Sequence, residues 1–115
     1  MREIKCRGKR ADGKWVYGYL VKDDCEYLIG ADVDSMFDVV PETVGQFTGK
    51  FDCDGFEIYE GDIVMIGTLT NDKTRYEVRW LENFSFGAID EIGCVLSLSN
   101  YSFCIVGNIY ERVSK

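Results

Sequence analysis

The sequence predicts a mainly β fold, an antiparallel, barrel-like domain with little helix, on three observations. Short apolar runs are separated by Gly, Asp and Asn turn signals roughly every ten residues, the spacing of strands in sandwiches and barrels. Twelve glycines and a single proline, Pro41, leave few stretches long enough for a helix. In "TRYEVRW" the side chains alternate strictly: Tyr76, Val78 and Trp80 on one side, Arg75, Glu77 and Arg79 on the other, the two-residue period of a half-buried strand.

The elements follow in chain order. "EIKCR" alternates Ile4 and Cys6 against Glu3, Lys5 and Arg7, and Asp12-Gly13 then turns the chain as a two-residue hairpin. "KWVYGYLVK" places Trp15, Tyr17 and Tyr19 on one face and Val16, Gly18 and Leu20 on the other. With both faces apolar, this strand is expected to be central or packed on two sides. "YLIG" is a short strand, and Ser35–Val40 a further one, because the residue before proline is pushed out of helical geometry. "PETV" begins a short helical turn with proline at its first position. "IVMI" is a continuous apolar strand, "TNDK" a turn, and "NFSFG" a second alternating stretch with Phe84 and Phe86 inward. Residues 88–98 fit either a helical stripe (Ile89, Ile92, Val95, Leu96) or a strand broken at Gly93. A last strand covers Phe103 to Val106. The whole chain, 1–115, reads as one domain; sub-lobes 1–49 and 50–115 would break near Thr48–Gly55, the second forming an SH3-like barrel.

Composition narrows the function. A chain that is 46% hydrophobic and 14% aromatic has core material enough to fold without metal or disulfides. No apolar run reaches the ~20 residues that cross a bilayer, and "MREIKCRGKR" lacks the apolar stretch of a secretory signal, so a cytoplasmic protein with no membrane partner is expected. Cysteines 6, 25, 53, 94 and 104 form no close pair and read as small buried hydrophobes or idle thiols. With no histidine, zinc is not expected, and Ser-His and Cys-His nucleophile pairs are ruled out. Neither phosphate-cradling glycine motif occurs. No cofactor, metal or catalytic residue is expected. The net charge of −7 is uneven: residues 1–15 hold six basic residues against two acids, and residues 23–62 twelve acids against Lys50 alone.

The acidic stretch "GKFDCDGFEIYEGDIV" (49–64) invites a chemical reading. A calcium loop needs its glycine at position six and glutamate at twelve, followed by a helix; no register from Asp52 or Lys50 meets this, and a strand follows. A carboxylate dyad would need one acid desolvated, whereas turn residues beside glycines are usually wet. The turn reading is preferred: Asp54-Gly55 closes a hairpin, and Gly61-Asp62 bends the chain into the next strand. Asp32, Asp34 and Asp38 are read as a solvated acidic loop.

Three blocks, "REIKCRGKRADGKWVYGYL", "VPETVGQFTGKFDCDGFEIYEGDIV" and "IVGNIYE", resemble in order and spacing the YopX-like proteins of phages and prophages in Gram-positive bacteria. Cys6 stands where the family usually has an aromatic, Lys50 where leucine often follows Thr-Gly, and the "RVSK" tail lacks the common ending. The resemblance implies a β fold and carries over no catalytic residue. It marks Gly45, Gln46, Gly49, Gly55, Tyr59, Glu60, Gly61 and Asp62 as a structural motif, with Trp15, Phe47, Ile58 and Tyr59 as core mass. Glu42, Thr43, Gln46 and Thr48 are more polar groups than a plain turn needs, and suggest a buried polar network or a subunit contact.

The leading expectation is a non-enzymatic interaction module that forms homo-oligomers in the bacterial cytoplasm, with a host or phage protein partner left unspecified. Two other readings stay open. One is nucleic-acid binding through Arg2, Lys5, Arg7, Lys9 and Arg10, with Trp15, Tyr17 or Tyr19 stacking on bases. The other is an acidic DNA mimic, built on segment 23–62, that inhibits a host protein.

Overall fold

Eleven strands and one short 3-10 turn make up the computed structural model, which describes residues 5–22, 26–31, 35–67, 74–81, 85–99 and 101–110. The expected "TNDK" turn, Asp32, Asp34, Phe84, Cys25 and Arg2 lie outside the described residues. The chain divides into two compact units between Phe47 and Thr48.

In the first unit, β1 (Lys5–Lys9), β2 (Trp15–Lys22), β3 (Tyr27–Gly30) and β4 (Met36–Asp38) form an antiparallel meander, and β5 (Gly45–Phe51) joins on the far side of β1. The register sets Lys5 opposite Tyr19, Arg7 opposite Tyr17 and Lys9 opposite Trp15. Directly opposite residues share a face, so cations and aromatics lie together on one side and Cys6, Val16 and Leu20 on the other. The core of this unit is Cys6, Ile29 and Val39, with Val16, Leu20, Tyr27 and Val44 packed around it. Gly8 keeps that core close: a Cβ there would meet the Cβ of Val39 at 2.9 Å and Cδ1 of Ile29 at 3.0 Å. The 3-10 turn Pro41–Thr43 begins on proline, as the sequence predicts. Its Thr43 hydroxyl donates to the Val40 carbonyl at 2.6 Å and accepts the Lys9 amide at 2.8 Å, fastening the turn to β1.

Of the two arrangements expected for β2, a central place or packing on two sides, the structure shows the first. Tyr17, Tyr19 and Val21 are 49%, 41% and 47% exposed, and only the Val16–Leu20 side meets the core. The burial of β2 is therefore one-sided although the strand is flanked by β1 and β3.

In the second unit, the end of β5 and β6 (Glu57–Tyr59) form a hairpin. Strands β7 (Asp62–Ile66), β8 (Tyr76–Leu81), β9 (Ser85–Ile89) and β10 (Val95–Ser97) form a meander. β11 (Phe103–Asn108) returns beside β7, giving the order β10-β9-β8-β7-β11. Among the described residues the edge strands β10 and β11 are not paired with each other, so the five strands form the antiparallel, barrel-like arrangement expected without closing it. Ile58, Val64, Tyr76, Val78, Ala88, Leu98 and Phe103 form its core, and fully buried Ile58, Val64 and Val78 contribute about 1.5–3 kcal/mol each. Trp80 continues the alternation of Tyr76 and Val78 but is 50% exposed: it lies toward the strand end, edge-on to Phe86 at 4.9 Å. Residues 88–98 resolve as two strands and a turn.

Three of the hairpins use the same turn. At Arg10–Lys14, Asp52–Phe56 and Asp90–Cys94 the first amide donates to the last carbonyl, and the glycine amide donates back to the first carbonyl. Gly13, Gly55 and Gly93 all have φ near +90°. This is a three-residue loop closed by a glycine in the left-handed region, not the two-residue hairpin expected from Asp-Gly.

Candidate functional site

The acidic stretch builds a fastened hairpin. Oδ1 of Asp52 accepts the amides of Asp54 and Phe56, each at 2.9 Å. Asp90 makes the same pair of bonds in its own turn, to Ile92 and Cys94. Asp52 does more: its Oδ2 accepts the amide of Ile105 on β11 at 3.2 Å. The Cys53 amide donates to the Phe103 carbonyl at 2.8 Å. The sulfurs of Cys53 and Cys104 are bonded at 2.05 Å. The expectation of idle thiols is therefore corrected at these two positions, while Cys6, buried, and Cys94, exposed, are outside any disulfide. Strand β11 brings to the hairpin a cysteine 51 residues away, a proximity that sequence spacing does not reveal.

The second acid of the motif acts similarly. Asp62 is 1% exposed, and its Oδ2 accepts the Tyr59 amide at 2.8 Å across the Glu60-Gly61 bend. Gly61 has φ +94°, donates to the Val78 carbonyl and accepts from the Ile109 amide, so the bend is held by strands on both sides. Tyr59 is buried and its hydroxyl donates to Glu57 at 2.8 Å. Thr48 hydrogen-bonds the Ile58 carbonyl and accepts the Lys50 amide. These polar residues make local fastenings; Glu42 is exposed. Asp52, Cys53 and Asp54 lie close enough together to suggest a metal cluster, but the sulfur is in a disulfide and both Asp52 oxygens accept backbone amides. The donor set does not fit a metal.

What the hairpin presents is aromatic. Phe51 on β5 and Phe56 beside the turn are 58% and 66% exposed. Sequence reasoning missed them, because attention to the acids hid the rings between which they lie.

The basic residues divide. Lys5, Arg7 and Lys9 share one face of the first sheet: Lys5 lies over the Phe47 ring at 5.9 Å, Arg7 over Trp15 at 4.8 Å and Lys9 over Trp15 at 5.9 Å. Arg7 is only 6% exposed. Arg10 departs from this group, pairing with Asp12 at 3.3 Å and lying over Phe37. Phe47 and Trp15, expected as core mass, are half-buried partners of these cations. Gly45 is buried beside Arg7 in the β1–β5 pairing, with Gln46 opposite Cys6, whereas Gly49 lies in open space.

Fold and motif together define a two-unit, all-β protein whose acidic signature shapes turns. The family model described as YopX protein matches residues 6–114, and the chain belongs to this family. No curated protein matches the chain.

Proposed function

We propose that this protein is a non-enzymatic interaction module that self-associates through the β5–β6 hairpin, and that it works in the cytoplasm of a bacterium carrying the phage or prophage. The observation that carries the reading is the exposure of Phe51 and Phe56 on a hairpin held by three carboxylate hydrogen bonds and a disulfide. Large rings exposed on a pre-organised support lose little conformational freedom on docking, and aromatics are enriched at protein contacts. The carboxylates that would have to serve catalysis are instead acceptors for backbone amides, which supports a binding role over a reaction. Light scattering across micromolar concentrations tests the proposal. The wild type is expected to form a defined oligomer, and the pair Phe51→Ser and Phe56→Ser to shift it toward monomer with its thermal midpoint unchanged. A wild type that is monomeric throughout, or an oligomer indifferent to both substitutions, refutes it.

A further inference from the structure

The two cysteines of the disulfide differ in access. Cys53 is exposed in the turn of the β5–β6 hairpin, whereas Cys104 is half-buried in β11. A Cβ on Gly67 would lie 2.7 Å from the Cys104 sulfur and 3.5 Å from that of Cys53, so the chain just after β7 backs the Cys104 sulfur more closely. We propose that Cys53 is a thiol-exchange site, at which small thiols carrying an ammonium group react in preference to anionic ones, with Cys104 as its resolving partner. Exposed disulfides are the labile, exchanging class.

The step balances. A thiolate, RS−, attacks the Cys53 sulfur: the Cys53–Cys104 bond breaks, a bond from Cys53 to the sulfur of R forms, and Cys104 leaves as a thiolate that takes up a proton. In the reverse step the Cys104 thiolate attacks the Cys53 sulfur and expels RS−. A second thiolate attacking the sulfur of R instead releases RSSR, and the two electrons of the two thiols then reside on the reduced cysteines. The backbone favours reversal. The Cys53 amide donates to the Phe103 carbonyl and the Ile105 amide to Asp52, so the residues on either side of Cys104 stay tied to the hairpin while the sulfur bond is open. Two thiols held together in this way close without a search. Charge chooses the thiol. Carboxylate oxygens of Asp52 and Asp54 lie within 4.8 Å of the Cys53 sulfur, where they repel an anionic reagent and attract an ammonium group.

The test follows the folded protein by acid quench, alkylation and peptide mapping, with cysteamine and mercaptoethanesulfonate as thiols and hydroxyethyl disulfide as an uncharged reference. The wild type is expected to open at a rate proportional to thiol concentration, and any trapped adduct to lie on Cys53. Relative to the reference, cysteamine is expected to be favoured roughly three- to fifteen-fold, and less as salt is added. Asp54→Asn is expected to reduce that preference to roughly two- to four-fold. Cys104→Ser, which cannot resolve, is expected to accumulate the Cys53 adduct when given cystamine. An opening rate independent of thiol concentration, which reports exchange only through unfolding, overturns the proposal. So does an adduct on Cys104, or equal reactivity of the two thiols. The wild-type measurements decide this even if the cysteine variant does not fold. Phe51→Ser with Phe56→Ser is expected to exchange at Cys53 whether or not the wild type self-associates, so this proposal and the self-association reading fail separately.

Discussion

Asp52→Asn is the sharpest test of how the hairpin is held. The substitution keeps the shape of the side chain and exchanges one oxygen for an NH2 group. Asp52 now accepts amides on both oxygens: Asp54 and Phe56 on one, Ile105 on the other. An asparagine satisfies one side only, and whichever way it turns, a donor then faces a donor. Losing a charged acceptor for a half-buried amide costs about 2 kcal/mol. For a chain of this size that lowers the melting temperature by about 8 °C, at about 4 °C per kcal/mol. Asp90→Asn is the internal control, because the same turn there uses Oδ1 alone, in an exposed loop. It is expected to cost less than about 0.5 kcal/mol, as exposed substitutions usually do. Urea unfolding gives both values, and amide exchange at Ile105 reports the broken link directly. If the two variants are equally stable, or Ile105 keeps its protection in Asp52→Asn, the fastening of the hairpin to β11 is not what holds this joint.

Three further outcomes follow from the same geometry. Cys104→Ser opens a loop of 51 residues and is expected to lower stability by about 4 kcal/mol on the chain-entropy account; reduction of the wild type checks it. Gly61→Ala forces a left-handed residue to carry a Cβ 2.9 Å from the Tyr110 ring, and is expected to cost roughly 1–3 kcal/mol by thermal unfolding. Thr43→Val removes the hydroxyl that joins Val40 to Lys9 and is expected to cost about 1–2 kcal/mol, with Thr43→Ser restoring most of it.

Much of the architecture was legible because strand periodicity is local. The alternation in "TRYEVRW" marked Tyr76 and Val78 as core, and both are buried. Proline marked the 3-10 turn at Pro41. Gly93 decided residues 88–98 in favour of a turn, where Asp90 accepts two amides that a helix would have used internally. Periodicity says which side chains share a face, but not whether anything covers that face. For this reason Tyr17, Tyr19 and Trp80 are more exposed than their apolar character suggested. The disulfide and the Asp52–Ile105 bond were hidden for another reason. Both depend on β11 returning beside β7, a pairing of residues about 40 positions apart that no local pattern encodes.

The joint beneath the hairpin is made twice over, once by sulfur and once by hydrogen bonds, from the Cys53 amide to the Phe103 carbonyl and from the Ile105 amide to Asp52. Disulfides persist in oxidising compartments and are opened in reducing ones. Here the second set of ties needs no oxidant, so the two phenylalanines are expected to keep their bearing when the disulfide is reduced. The covalent bond then alters how long the tip endures heat or denaturant, while the direction in which it points is a property of the backbone.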